Sequence, residues 1–115
     1  MNSVVTITSF PTSVKYTCTL KQDGTYIGSF QINDYMNIPS MSIDLEDAYQ
    51  GKGYTRLMMR DVINLLPNWS SRKLLYIDTD ASGGFWKHIG MKENTNENGY
   101  ELVISIRQLK RFIKV

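Results

Sequence analysis

The sequence predicts one mixed α/β (α+β) domain over residues 1–115, with antiparallel hairpins first and one strand–helix–strand crossover after them. Short runs in the first half alternate apolar with polar residues, as half-buried strands do. The glycine-rich stretch Gln50-Gly51-Lys52-Gly53-Tyr54-Thr55 then separates such a run from a segment with apolar residues at helical spacing. Lys73–Asp78 follows that segment and is mostly apolar, which is typical of a strand buried on both faces. We expect a mixed central sheet of about six or seven strands.

The composition fits a single packed domain. The chain is 42% hydrophobic and 21% charged, so a core can form and disorder is not expected. A net charge of +2 is far from the footprint of a nucleic-acid-binding protein. The single cysteine, Cys18, excludes an internal disulfide. No signal peptide or membrane-spanning apolar run is evident, so we expect a cytoplasmic protein without a membrane partner.

The first half of the chain predicts four strands. Asp23-Gly24 is a two-residue turn signal between the second and third strands, and Gly28 in the third marks a bulge or a close approach. Asn33–Ser40, which contains Asn37 and Pro39, predicts a loop. The predicted strands are Val4–Ser9, Val14–Leu20, Tyr26–Ile32 and Met41–Glu46.

The second half predicts two helices, two strands and a packed tail. The first helix follows the glycine loop to Leu66 and stops at Pro67. A short helix over Ser82–Ile89 ends at Gly90, which suits the position after a helix C-terminus. The remaining predicted elements are the strand Lys73–Asp78, a polar turn over Glu93–Gly99, the strand Tyr100–Ile106 and a last helical turn with Leu109, Phe112 and Ile113.

The glycine loop is the candidate binding site. Its two glycines let the backbone turn tightly and leave its N–H groups uncovered. The helix that follows adds unpaired N–H groups and a partial positive charge. Such a loop favours a phosphate or pyrophosphate. An ordinary strand-to-helix turn is the alternative interpretation.

Two segments together resemble the Gcn5-related N-acetyltransferase (GNAT) family. Leu45 to Gly53 looks like the family's run into its pyrophosphate loop, with the signature Gln/Arg-x-x-Gly-x-Gly/Ala beginning at Gln50. Phe85-Trp86-Lys87-His88-Ile89-Gly90-Met91 resembles a later family segment. One helix and one strand separate the two segments, as in the family. The resemblance implies a GNAT-like sheet that splays beside the loop.

The resemblance also implies that acetyl-CoA is the co-substrate and that a primary amine, on a small molecule or a protein, is the acceptor. The backbone of Leu45 and Glu46 would pair with the pantetheine arm of the cofactor. Lys52 and its neighbours in the loop would hold the pyrophosphate. Trp86 would be a core or cofactor-wall aromatic. The implied cofactor-binding residues are Leu45, Glu46, Gln50, Gly51, Lys52, Gly53, Tyr54, Thr55 and Trp86.

The sequence departs from the family pattern at three places. Thr55 stands where Gly or Ala is usual, and Trp86 aligns with a frequent tyrosine that is thought to protonate the departing thiolate. Indole cannot supply that proton. Only Phe10–Ser13 separate the first two strands, where the family carries two helices. The resemblance therefore describes a reduced member with an open acceptor side, which a second copy in a homodimer can complete.

Glu46 and Asp44 are the candidate catalytic residues. Both project from the same face of the fourth strand. An amine must lose a proton to attack a thioester, and a carboxylate, directly or through water, can take it. The alternative is that the two acids are the solvated face of a strand.

Two other functional classes stay open. One is a GNAT-like module that binds CoA with weak or no catalysis, because Trp86 replaces the usual tyrosine. The other is a small basic domain without a CoA site that binds nucleic acid or protein through Arg107, Lys110, Arg111 and Lys114, although we regard a nucleic-acid partner as the less expected case. With one histidine and one cysteine, no metal site is predicted. His88 is interpreted as a solvent-facing helix residue.

Overall fold

A seven-stranded sheet forms the centre of the computed structural model, which describes residues 1–79 and 84–114. The strand order is β1-β2-β3-β4-β5-β7-β6. The mixed sheet with N-terminal hairpins confirms the predicted fold class. The strands are β1 (Asn2–Ser9), β2 (Ser13–Gln22), β3 (Thr25–Tyr35), β4 (Ile38–Leu45), β5 (Leu74–Ile77), β6 (Lys92–Glu93) and β7 (Leu102–Ser105), and the helices are α1 (Tyr54–Ile63), α2 (Phe85–His88) and α3 (Ile106–Ile113).

The first four strands form consecutive antiparallel hairpins. Asp23 and Gly24 both have positive φ, 51° and 80°, which confirms the predicted two-residue turn between β2 and β3. Residues 10–12 join β1 to β2 without a helix, and the Phe10 N–H donates to the Ser13 carbonyl at 2.8 Å.

The loop predicted over Asn33–Ser40 is wrong. β3 continues to Tyr35, the chain turns at Met36 and Asn37, and β4 begins at Ile38. Both turn residues have positive φ, 51° and 65°, so this is another two-residue hairpin turn. Methionine rarely adopts a positive φ. Met36 is therefore not recognised from the sequence as a turn residue.

Pro39 lies inside β4 without breaking it. The N–H of Glu46 donates to Ile27, so those two residues form a hydrogen-bonded pair of the β3–β4 ladder. Hydrogen-bonded and non-hydrogen-bonded pairs alternate, and counting back makes Pro39 and Asp34 a non-hydrogen-bonded pair. The nitrogen of Pro39 therefore points away from β3, where the ladder needs no donor.

Gly28 marks both features that the sequence predicted for it. The β2–β3 register shifts between Leu20 and Lys21, so the bulge lies beside Gly28. A Cβ built on Gly28 would lie 2.7 Å from the carbonyl oxygen of Asp44 and 2.7 Å from Cδ1 of Leu45. The missing side chain thus lets β3 approach the end of β4 closely.

The core lies on one face of the sheet, under α1 and α3. Alternate residues of β2, Tyr16, Cys18 and Leu20, face it, and Met58 and Leu109 from the helices pack against them. The intervening β2 residues lie on the opposite, more open face. α1 can cover only one face, so β2 and β3 alternate apolar with polar residues as predicted.

The C-terminal elements differ from the prediction in their lengths. β7 is shorter than the predicted strand, because Ile106 already begins a helix. The Ser105 side chain accepts a hydrogen bond from the Gln108 N–H, and Gln108 reaches back to the Ser105 N–H, which forms a capping box. The short strand β6 was not predicted, and its second residue, Glu93, is the first residue of the predicted polar turn. The start of the predicted helix at Ser82 lies outside the described residues, and α2 spans only Phe85–His88, with Gly90 at a φ of 110° after it.

Helices in the described part of the chain are all too short or too polar to cross a bilayer.

Candidate active site

Within the described residues, the parallel strands β4 and β5 pair near the start of β4 and the end of β5. α1 connects them, and the one register pair between them is Ser40 with Tyr76. β4 then continues to Leu45 beside β3, while β5 ends at Ile77. The far half of β4 therefore has β3 on one side and an opening on the other.

The backbone of β4 presents hydrogen-bonding groups to this opening. Because Glu46 pairs with Ile27, the alternation of the ladder directs the N–H and C=O of Asp44 toward β3. The same alternation directs those of Ile43 and Leu45 toward the β5 side. An extended chain placed in the opening can thus pair with β4 as an added strand does.

The glycine loop follows directly at the end of β4. Asp47–Tyr49 form one turn of 3-10 helix, and Gly51 and Gly53 have φ of 75° and 83°, a region that glycine enters without strain. Gly53 is the N-cap of α1 and has no side chain with which to cap it. The free N–H groups of the first helical turn, from Tyr54 to Arg56, therefore lie at the loop.

Two side chains hold the loop in position. The Gln50 amide donates to the Leu45 carbonyl at 3.0 Å and to the Asp47 carboxylate at 3.2 Å. The Tyr49 hydroxyl donates to Gln22 at 2.8 Å, which ties the loop to the β2–β3 hairpin. The loop is therefore anchored to the sheet on both sides.

A cleft of about 710 Å³ joins the opening, the loop and the helices around them. The Arg56 guanidinium lies 4.6 Å above the ring of Phe112, so α3 supports a cation at the start of α1. The residues that line the cleft are Ile43, Asp44, Leu45, Asp47, Gln50, Gly51, Gly53, Thr55, Arg56, Phe85, His88 and Phe112.

Asp44 carries the carboxylate on the β4 wall of this cleft. The Tyr26 hydroxyl donates to Oδ2 of Asp44 at 2.7 Å and lies 3.1 Å from the Ser29 hydroxyl. Burial raises the pKa of Tyr26, and the charges of Asp44 and Glu46 raise it further, while the Ser29 hydrogen bond lowers it. Tyr26 therefore stays protonated at neutral pH and holds the Asp44 carboxylate in place.

No protein-family model and no curated protein matches the chain. Solved structures do match it. A chain of the KacTA–DNA complex has a TM-score of 0.55 and 14% identity, with 92% of this chain and 76% of that one covered. The spermidine/spermine N-acetyltransferase SpeG from Vibrio cholerae has a TM-score of 0.51 and 13% identity, over 84% of this chain and 70% of that one. A mutant AtaT toxin, solved with the C-terminus of the antitoxin AtaR and acetyl-CoA, has a TM-score of 0.53 and 15% identity, over 90% and 74%.

The chain has the GNAT fold.

Of the two predicted catalytic acids, one lines the cleft of this GNAT fold. Asp44 lines the cleft, but Glu46 follows the end of β4 and is not among the lining residues. The prediction that the Glu46 backbone pairs with the cofactor arm needs correction, because its N–H is bonded to Ile27 at 2.9 Å. The prediction overlooked that hydrogen-bonding direction alternates along a strand. Besides Leu45, the residue whose backbone N–H and C=O groups face the opening is therefore Ile43 and not Glu46.

Trp86 is in the core, with 3% of its surface exposed, and its neighbour Phe85 lines the cleft instead. The two rings meet edge to face with centroids 5.1 Å apart. Successive residues of a helix point about 100° apart, so only one of them can face the cleft. Of the two interpretations of Trp86, the core aromatic is the one that the structure supports.

Four of the six predicted loop residues line the cleft, and two do not. Gln50, Gly51, Gly53 and Thr55 line the cleft. The Lys52 ammonium lies 5.9 Å from the ring centroid of Tyr49. The ring of Tyr54 also packs on that of Tyr49, with centroids 6.1 Å apart. Lys52 and Tyr54 are not among the residues that line the cleft.

Sequence analysis missed five lining residues with polar or aromatic side chains, which are Asp47, Arg56, Phe85, His88 and Phe112. Arg56 lies in the first turn of α1, next to the predicted phosphate-binding loop. That position in the sequence could have indicated a phosphate-binding role for it. His88 is exposed, as predicted, and also lines the cleft. Phe112 comes from the distant tail, and nothing in the sequence indicated that α3 would fold back to the loop.

One of the matching structures is a complex with DNA. The expectation that a nucleic-acid partner is unlikely is not borne out, and the type of partner is not established.

Proposed function

We propose that the cleft binds acetyl-CoA and that the protein transfers the acetyl group to a primary amine. One observation carries the proposal: a single cleft joins the open backbone edge of β4 to a glycine loop at a helix N-terminus. The edge suits an extended amide-containing arm, and the loop suits a pyrophosphate. Acetyl-CoA combines these two chemical features. The fold shared with AtaT, which was solved with acetyl-CoA, supports the assignment.

The cofactor's charged end belongs at the loop in this proposal. The N–H groups near Gly51, Gly53 and Thr55 bind the pyrophosphate, and the Thr55 hydroxyl can donate to a phosphate oxygen. Arg56 adds a charge-assisted contact. Its stacking on Phe112 holds the guanidinium at the cleft and lowers the entropy lost on binding.

The pantetheine arm then runs back along β4, with its amides paired to Leu45 and Ile43. The thioester comes to lie between Ile43 and the point where β4 meets β5 at Ser40 and Tyr76. The Leu45 carbonyl accepts from Gln50, so an arm in the opening uses the groups of Ile43 and the N–H of Leu45. A backbone N–H in this region stabilises the oxyanion that forms during attack.

The amine attacks the thioester carbonyl carbon directly. Its nitrogen forms the new C–N bond, the C–S bond breaks, and the CoA thiolate leaves and takes up a proton from solvent. Only about one lysine-like amine in a thousand is neutral at pH 7, so removal of a proton is part of the reaction. We assign that proton to Asp44, directly or through water, with Tyr26 orienting the carboxylate.

A covalent acetyl-enzyme on Cys18 is not favoured. The Cys18 side chain is fully buried, and burial, with a further effect from the charge of Asp61, raises its pKa to about 11. The thiol is therefore protonated and inaccessible to the thioester.

Calorimetric titration of the purified protein with acetyl-CoA tests the site, with desulfo-CoA and ATP as comparison ligands. We expect micromolar binding of acetyl-CoA and weak binding of ATP. Gly53→Asp should abolish acetyl-CoA binding, because it puts a carboxylate where the pyrophosphate lies. Gly99→Asp is a matched control, since Gly99 has a φ of 85°, open space around it and no place in the cleft lining. Equal affinity of the two variants would remove the loop assignment.

A CoA-binding module without turnover is the second candidate. The observation that favours it is Trp86, whose indole lies in the core and supplies no phenol to the leaving thiolate. Such a protein would bind acetyl-CoA in the titration, yet release no free thiol with any amine of a broad panel.

A nucleic-acid role for the C-terminal helix is the third candidate. Arg107, Lys110 and Arg111 are exposed on α3, Lys114 is exposed directly after it, and a matching structure contains DNA. Binding of a duplex whose affinity falls steeply with salt concentration would support it, and charge-neutral substitutions at Lys110 and Arg111 should flatten that dependence.

A further inference from the structure

The outer edge of the sheet at β1 is exposed along its whole length. All eight residues of β1 are exposed, including Val4, Val5 and Ile7 at 48%, 39% and 52%. β1 pairs with β2 on one side, and α1 packs mainly over β2 and β3. Val5 and Ile7 therefore lie on the core face of the sheet beyond the cover of α1.

The backbone groups on this edge can be assigned from the ladder. The Phe10 N–H donates to Ser13, so Phe10 and Ser13 form a hydrogen-bonded pair of the β1–β2 ladder. By alternation, the even-numbered residues of β1 bond to β2. The odd-numbered residues then direct their N–H and C=O groups outward, and these residues are Ser3, Val5, Ile7 and Ser9.

Nothing in β1 protects this edge. Natural sheets guard exposed edges with lysines, prolines, bulges or a covering element. Between Asn2 and Ser9 there is no charged residue and no proline, and the β1–β2 register is regular. Such an edge is suited to pairing with another strand.

The sequence of β1 is nearly symmetric about Thr6. Val5 and Ile7 flank Thr6, Val4 and Thr8 come next and have nearly the same shape, and Ser3 and Ser9 come last. An antiparallel partner with the same sequence, centred on Thr6, would therefore oppose like with like at every position. This self-complementarity favours a second copy over an unrelated strand.

We propose that β1 pairs antiparallel with β1 of a second copy about a two-fold axis through Thr6. Ser3 opposes Ser9 of the second copy, and Val5 opposes Ile7 of the second copy. All four outward-facing residues are then paired, with about eight hydrogen bonds across the interface, two for each pair.

The paired edge gains stability from side chains as well as the backbone. The two Val5–Ile7 contacts lie side by side on the core face, and aliphatic cross-strand pairs contribute about 0.2–1 kcal/mol each. No like charges meet, because β1 is uncharged. Two-fold pairing closes the assembly at two copies and uses up the edge, which prevents further strand addition.

Disulfide trapping of the full-length chain tests the register. Thr6 opposes Thr6 of the second copy in a non-hydrogen-bonded pair, with Cα atoms about 4.5 Å apart, which a disulfide can span. Thr6→Cys should form a covalent dimer rapidly under mild oxidation. Val4→Cys is the matched control, because Val4 has the same exposure class and sheet face but would lie about 13 Å from its own copy. Wild type controls for Cys18, which is buried.

Sedimentation of wild type and Val5→Lys tests the interface without a cross-link. Wild type should show a concentration-dependent dimer, and Val5→Lys should be a monomer with an unchanged circular dichroism spectrum, since Val5 is exposed. A wild type that stays monomeric, or a Thr6→Cys yield no greater than that of Val4→Cys, would overturn the proposal. Dimerisation that survives Val5→Lys would place the interface elsewhere and also overturn it.

Discussion

Asp44 and Glu46 lie two residues apart in the sequence, yet their surroundings differ. Asp44 lines the cleft and accepts a 2.7 Å hydrogen bond from Tyr26, whereas Glu46 begins the 3-10 turn beyond β4. A general base must reach the amine that it deprotonates. The alternation of the sequence predicts the same strand face for both acids. They differ in that the cleft is lined by Asp44 and not by Glu46.

Removal of each carboxylate separately should show that difference. Asp44→Asn should lower kcat by roughly 100-fold, the lower end for loss of a general base, with a small effect on the KM for acetyl-CoA. Glu46→Gln should change kcat less than about threefold, because its side chain is outside the cleft lining. Steady-state kinetics with a reactive amine at several pH values measure both. A larger loss in Glu46→Gln would assign the base to Glu46.

At the scale of elements, the width of the opening beside β4 depends on the distance between β4 and β3, its neighbour on the other side. Gly28 allows that approach, since any Cβ there would collide with the backbone of Asp44. The bulge next to Gly28 bends β3 at the same point. The geometry of the cleft is therefore set partly by a residue that does not line it.

Gly28→Ala tests this contribution of β3. The added methyl group should push β4 toward the cleft, lower the free energy of unfolding by about 1–3 kcal/mol and weaken acetyl-CoA binding. Ser42→Ala is the control, as Ser42 is an exposed residue of β4. Urea denaturation and calorimetry give the two quantities. If Gly28→Ala binds and unfolds like Ser42→Ala, the close approach has no role in shaping the cleft.

Strands and turns could be predicted from the sequence where their signals are local. Strands with strict alternation, such as β2, and the turn at Asp23-Gly24 were predicted because their signals are local. The turn at Met36-Asn37 was missed, because Met36 adopts a positive φ that methionine rarely takes. Tertiary packing, not local preference, fixes that turn between two long paired strands.

The residues of the candidate site also divide into those with a local sequence signal and those without one. The loop from Gln50 to Thr55 was found because its glycines and the helix after it are adjacent in sequence. Phe112 could not be found, since its place under Arg56 arises only when α3 packs against α1. Contacts between elements far apart in the chain leave no local pattern.

At the scale of the whole molecule, the buried thiol couples stability to pH. Cys18 lies in the middle of β2 with its side chain fully covered by the core. Burial first, and the charge of Asp61 second, raise its pKa from 9.0 to about 11. The folded state therefore keeps a proton that the unfolded chain loses in this range.

The consequence is a loss of stability at alkaline pH. Because the folded pKa is the higher one, the contribution of Cys18 is fully present below pH 9.0 and declines as the pH rises toward about 11. Tyr16 and Tyr26, whose pKa values are also raised from 10.0 by burial, add to the decline at the upper end. Wild type should thus lose roughly 2–3 kcal/mol of unfolding free energy through Cys18 alone.

Cys18→Ala isolates that contribution. The variant is less stable than wild type at neutral pH because it leaves a small cavity, but it has no thiol to ionise. The difference in unfolding free energy between the two proteins should therefore shrink as the pH rises from 9.0 to about 11. Chemical denaturation at fixed pH steps, with a reductant present, measures it. If the difference in unfolding free energy stays constant, the Cys18 thiol has the same pKa in the folded and the unfolded state. Water would then reach the thiol in the core at β2.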